Sequence, residues 1–186
     1  MAKTPSSMLP LGTIAPDFSL KDAVSGQFVS LNKKNGFVAT VILFICNHCP
    51  YVKHVNPELT RLANDYMDKN IRFIAINSND IKTYPDDDPE HMKEQAILHK
   101  YPFPYLFDDT QEVATAYQAK CTPDFFVFDK NLALVYRGQL DDSRPGNEIE
   151  LTGCSIRDAL DCILASKPIS VDQKPSLGCN IKWKSV

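Results

Sequence analysis

Long apolar runs are missing from this chain. The longest, Phe37 to Cys46, contains Thr40 and reaches about half of the roughly 18 uninterrupted apolar residues that a membrane span requires. The start, Met1 to Pro10, holds one lysine and lacks the apolar stretch of about seven residues that a secretory signal needs, so a cytoplasmic location is expected. An excess of positive charge is also absent: 20 Lys+Arg face 23 Asp+Glu, a net charge of −3. With no basic stripe to follow a phosphate backbone, neither nucleic acid nor a membrane is an expected partner. Collagen-like, coiled-coil and wholly disordered chains each need a composition that is lacking here, and no internal repeat or low-complexity tract is visible. What remains, at 186 residues and 44% hydrophobic, is a globular chain long enough to bury a core without disulfide staples.

Cysteine is the informative residue type. There are six, at 46, 49, 121, 154, 162 and 179, and only Cys46-Asn47-His48-Cys49 brings two of them close in sequence. In a reducing cytosol an even count does not imply a disulfide framework.

The setting of that pair is specific. Phe37 to Ile45 is β-branched and aromatic with almost no polar side chain, as expected of a central strand covered on both faces. Pro50 directly follows Cys49 and suits the first turn of a helix, which Val52, Val55, Leu59, Leu62, Ala63, Tyr66 and Met67 continue at helical spacing. Ile71 to Ile76 reads as a second strand, completing a βαβ unit with a parallel pair. Residues 77 to 89 read as loop, 90 to 100 as a polar helix, 103 to 107 as a short strand and 110 to 117 as a short helix. Phe125 to Asp129 and Leu132 to Tyr136 form a hairpin, which makes the sheet mixed. Ser155, as N-cap, opens a closing helix to Ala165. The expectation is an α/β domain over 1–165 and an extension over 166–186 that is only partly ordered.

A thiol reacts as thiolate, and a helix N-terminus lowers thiol pKa through its unpaired N–H groups and macrodipole. Placement next to the helix start gives that benefit to Cys46, with Cys49, one turn on, resolving the mixed disulfide. A protonated His48 would add positive charge and make the disulfide more oxidising. Structural zinc normally takes four ligands, yet no second close Cys or His pair exists, and covalent haem attachment would want His where Pro50 stands. No metal is expected. The acidic runs Asp86-Asp87-Asp88 and Asp141-Asp142 lack the ligand spacing of a calcium loop and read as solvated.

The order Ala15-Pro16-Asp17-Phe18, Phe44-Ile-Cys-Asn-His-Cys-Pro50, Thr122-Pro-Asp-Phe-Phe-Val-Phe-Asp129 and Val135-Tyr-Arg-Gly138 resembles the thioredoxin-fold redoxins, which span peroxiredoxins and thiol-disulfide oxidoreductases. The likeness runs from about Leu11 to Leu164, and the tail Gly178 to Lys184 is similar to a peroxiredoxin-like, AhpC/TSA-related branch that keeps a CxxC pair. It implies a thioredoxin-like fold, a central mixed sheet flanked by helices, between an N-terminal extension and a C-terminal tail. It implies a thiol-disulfide oxidoreductase that cycles Cys46 and Cys49 without any cofactor beyond that redox-active disulfide. Pro123 matches the cis-proline facing the pair, and Thr122 would then offer its backbone to an extended substrate segment. The alternative implied by the likeness is a thiol peroxidase in which Cys49, the cysteine followed by proline, attacks a hydroperoxide and Cys46 resolves it.

Several positions depart from these patterns. Cys46 stands in place of the peroxidatic threonine, Ile42 in place of the upstream proline, and Thr40 in place of the buried aspartate of thioredoxins. Proton transfer at Cys49 therefore needs another group. Arg137 matches a distant peroxidase arginine or is a solvated strand-end residue. Cys121 and Cys179 are additional candidate redox thiols, whereas Cys154 and Cys162 look structural. His54 lies within helix reach of the pair, which keeps copper handling by the same thiols as a minor alternative. Expected partners are a protein or small-molecule disulfide, or a hydroperoxide, and a thioredoxin-type or glutathione-type electron donor.

Overall fold

The computed structural model describes residues 3–31 and 36–185. Among the described residues ten strands and four α-helices follow in the order β1 Lys3–Pro5, β2 Ser19–Asp22, β3 Phe28–Ser30, β4 Ala39–Phe44, α1 Pro50–Met67, β5 Ile71–Asn77, α2 Pro89–Leu98 and β6 Tyr105–Phe107. They continue with α3 Glu112–Ala116, β7 Cys121–Thr122, β8 Asp124–Asp129, β9 Leu134–Gly138, α4 Cys154–Leu164 and β10 Leu177–Asn180.

The main sheet has the strand order β3-β2-β6-β5-β4-β8-β9. Its centre is the β4–α1–β5 unit: β4 runs parallel to β5 from Ala39↔Ile71 to Phe44↔Ile76, and β8 joins β4 antiparallel from Ala39↔Asp129 to Phe44↔Asp124. Period-2 alternation divides β4 between two cores. Val41 and Leu43 join Val52, Leu59 and Leu62 of α1 and Ile156 and Leu160 of α4, while Ile42 and Phe44 pack with Tyr117, Phe126 and Leu9 on the opposite face. All six β4 residues are buried, which is why this strand reads as an apolar run broken only by Thr40.

Two boundaries differ from the pattern reading. Helix α4 starts at Cys154 after Gly153, whose φ of 68° makes it the cap, so Ser155 lies inside the helix rather than capping it. Its start is fixed by tertiary contacts, because Asp141 Oδ2 accepts from the amides of Thr152 and Gly153 at 2.8 and 2.6 Å.

The second difference matters for function. Within the extension, β10 forms a small antiparallel sheet of order β1-β10-β7, pairing Lys3↔Cys179 on one side and Cys179↔Thr122 on the other. Ser6 N and Ser176 O, Ile181 N and Lys120 O, and Asp80 N and Lys182 O add main-chain bonds of 2.9, 3.0 and 2.8 Å. These partners lie far away in sequence, so local periodicity carries no trace of the strand.

Candidate active site

The chain leaves β4 at Phe44, and Ile45 N still bonds to Ile76 O at 3.0 Å. Cys49 is the N-cap of α1 in extended conformation, with Pro50 at the first helical position, where a missing N–H costs nothing. The turn between is held from outside. Asp87, buried at the end of the short 3-10 helix Pro85–Asp87 between β5 and α2, accepts from Asn47 N at 2.7 Å through Oδ1 and from Asn79 Nδ2 at 2.8 Å through Oδ2. The same Oδ2 lies 2.6 Å from His48 Nδ1. Asn47 also donates to Asp86 O and accepts from the Tyr105 hydroxyl, at 2.8 and 3.1 Å.

This network corrects two expectations. Asp87 and Asp141 are buried rather than solvated, because each carboxylate receives several N–H donors that replace water. His48 stacks on Tyr84 with centroids 5.2 Å apart, and any positive charge it carries is met by Asp87 instead of standing alone beside a sulfur. Burial opposes ionisation of Asp87, yet the bonds from His48, Asn79 and Asn47 hold its pKa below the usual carboxylate value. Asp87 is the residue that sequence reasoning missed. Its only signal was an acid in an Asn-rich loop at the C-terminal end of a parallel strand.

Cys46 and Cys49 are both 0% exposed and Cys179 is 3% exposed. Cys46 Sγ lies 3.2 Å from Thr122 Oγ1; Cys49 Sγ lies 3.2 Å from Thr122 O and 2.8 Å from Cys179 Sγ. As a thiol, Cys49 donates to the Thr122 carbonyl. As a thiolate it accepts from Cys46, the largest influence, and, against the penalty of burial, from Cys179 and the Val52 and Cys179 amides, which together bring its pKa to about 5. Burial, the bond to Cys49 and the Asp87 charge push Cys46 well up. Burial and the bond to Cys49 push Cys179 up to about 12. The Val52 amide, in the first turn of α1, bonds to Cys49, which occupies the cap; Cys46 lies one turn before it.

The structure brings Cys46, Cys49, Thr122 and Cys179 together, with His48 anchored beside them and Pro50 setting the helix start. The Thr122–Pro123 peptide is cis. The Thr122 edge that would receive an extended substrate segment is occupied by β10. Cys121 is buried, its sulfur 3.8 Å from Pro123 O, and burial, then Asp124, raise its pKa far out of the reactive range. Arg137 donates to Leu9 O at 2.9 Å and Gln173 Oε1 at 2.7 Å, and among its described contacts none is a cysteine. His54 turns to Ser143 Oγ at 2.8 Å. Cys154 is exposed at the start of α4 rather than packed, and Cys162 is half-buried. Ligand atoms of Cys46, His48 and Asp87 lie within 4.8 Å of one another, but both Asp87 oxygens already accept N–H donors. Among the described residues no helix is long and apolar enough to cross a membrane.

A CxxC-spaced pair at a strand-helix junction, beside a cis-proline over a mixed sheet flanked by helices, marks the thioredoxin fold, which is shared by two solved structures of 21% identity, a thioredoxin domain from Bacteroides vulgatus and a putative thiol:disulfide interchange protein from Chlorobium tepidum, at TM-scores of 0.58 and 0.65. The chain belongs to the AhpC/TSA family, which it matches over residues 11–137. Peroxiredoxin Bcp of Bacillus subtilis (strain 168) is 28% identical over 130 residues, covering 70% of this chain and 73% of that protein. An uncharacterized conserved protein of Geobacillus kaustophilus is 59% identical with a TM-score of 0.98, over 100% of this chain and 98% of its own. A hypothetical protein of Sinorhizobium meliloti 1021 is 43% identical with a TM-score of 0.96, over 98% and 100%. The protein is a peroxiredoxin-like thiol oxidoreductase.

Proposed function

We propose that Cys46 and Cys49 cycle between dithiol and disulfide, with Cys49 as the nucleophile. The observation that carries this reading is the set of donors converging on Cys49 Sγ at the helix start, which keeps it ionised near neutral pH. Cys49 thiolate attacks one sulfur of a disulfide substrate and expels the other as thiolate. Cys46 then gives up its proton and attacks Cys49 Sγ; the Cys46–Cys49 bond forms and the second substrate thiolate leaves. An external thioredoxin-type dithiol, or two glutathione-type monothiols in succession, returns the two electrons, and the cytoplasm is the compartment in which we place the cycle.

Complete burial of both sulfurs favours a second substrate class, hydroperoxides, which are small enough to enter. Cys49 thiolate would take the distal oxygen, releasing an alcohol or water and leaving a sulfenic acid, which Cys46 converts to the same disulfide with loss of water. Fully reduced protein is given one equivalent of hydrogen peroxide or of a small aromatic disulfide, quenched by alkylation from milliseconds to minutes, and mapped by mass spectrometry. Rapid Cys46–Cys49 formation from the disulfide supports exchange, and passage of Cys49 through a sulfenic acid within about a second supports peroxide reduction. Thiols that survive both oxidants for minutes would overturn the reading.

A further inference from the structure

Cys49 touches two thiols, not one. The second, Cys179, comes from the end of the chain and is placed by a strand rather than by chance. Its partner in register is Thr122, the residue whose hydroxyl faces Cys46 and whose carbonyl faces Cys49. On its other side Cys179 pairs with Lys3, and the flanking residues Ser176 and Lys182 are fastened to Ser6, Pro123, Asn79 and Asp80. Gly178 shows how close the fit is, since a Cβ there would lie 2.0 Å from Thr122 O. The strand thus lays an internal cysteine along the same backbone edge that strand addition would offer to an external peptide.

We propose that Cys179 is a second resolving thiol, and that the disulfide moves from Cys46–Cys49 to Cys49–Cys179 within one chain. This rests on Cys49 being the redox centre of the proposed cycle. In the step, Cys179 loses its proton and its sulfur attacks Cys49 Sγ. The Cys46–Cys49 bond breaks, the Cys49–Cys179 bond forms, and Cys46 leaves as thiolate and takes up a proton. One disulfide replaces another, so no further oxidant is needed. The 2.8 Å between the sulfurs shortens to the roughly 2.05 Å of a disulfide with a shift of under an ångström. Once formed, the bond clamps β10 over the pair and leaves Cys46 reduced.

The test uses the full chain oxidised with substoichiometric diamide, acid-quenched, digested without reduction and mapped by mass spectrometry. In the wild type, peptides joining Cys49 to Cys46 and Cys49 to Cys179 are both expected, interconverting when the reagent is removed. In Cys46→Ser the Cys49–Cys179 peptide becomes the main intrachain product. In Cys179→Ser only Cys46–Cys49 forms. If the wild type cycles through Cys46–Cys49 while neither it nor Cys46→Ser ever yields Cys49–Cys179, the relay is wrong and the proposed cycle stands. If Cys49 enters no disulfide in any of the three proteins, the underlying reading itself fails. Far-UV circular dichroism of the two variants, matching the wild type, ties either outcome to the sulfur.

Discussion

Replacing Cys46 by alanine isolates the largest single influence on Cys49. The Cys46 S–H bond to the Cys49 sulfur leads the causes that bring its pKa from 9.0 to about 5. A hydrogen bond to a charged group contributes about 1.5–3 kcal/mol. At about 1.36 kcal/mol per pKa unit, its loss should raise the Cys49 midpoint by roughly 1–2 units. Cys46→Ser keeps a donor at the same place and should hold most of the depression. The assay is ultraviolet thiolate absorbance against pH on reduced protein, with iodoacetamide labelling of the Cys49 peptide to assign the titration. A midpoint unmoved in Cys46→Ala, or moved equally in Cys46→Ser, would refute the claim that proton sharing between the two thiols ionises Cys49. The same shift has a stability consequence. The native thiol loses its proton near pH 5 and the unfolded one near 9.0, so the contribution is complete above pH 9.0 and vanishes as pH falls through about 5. Across that window the urea-unfolding stability of the wild type, minus that of Cys49→Ser, should climb with pH, and a flat difference would contradict the lowered pKa. Cys46 and Cys179, both shifted upward, stay protonated in native and unfolded chains until the pH comes within about one unit of 9.0, so the difference is read between about pH 5 and 8.

Gly178→Ala must push β10 away from Thr122 O, which sits 2.0 Å from the added Cβ. A loss of about 1–3 kcal/mol is expected, together with faster alkylation of Cys49; unchanged labelling would mean that β10 is not the cover. Asp87→Asn removes an anion that raises the Cys46 pKa, so in a Cys49→Ser background Cys46 should alkylate faster at pH 8, and an unaltered rate would contradict the assigned electrostatics. Gly153→Ala places a Cβ 2.7 Å from Glu58 Oε1 at a φ of +68°, and should cost about 1–3 kcal/mol in urea unfolding without altering thiol reactivity.

The central elements were legible because their information is local. An apolar run broken only by Thr40 gave β4, Pro50 and the helical spacing after it gave α1, and the cysteine pair between them marked the chemistry, since strand and helix periods follow from backbone geometry alone. The matching segments around Thr122 and Arg137 extended the reading to the family. Tertiary structure set the surroundings of each thiol: the order of Cys46 and Cys49 is in the sequence, but the groups that lower the Cys49 pKa include a residue 130 positions away. It also decided that Asp87 braces His48, that Arg137 faces Leu9 and Gln173, and that the tail is a strand. Each of these depends on groups brought together by chain closure. A pKa, an ion pair or an edge-strand pairing is a property of such a gathering, and it has no period along the chain.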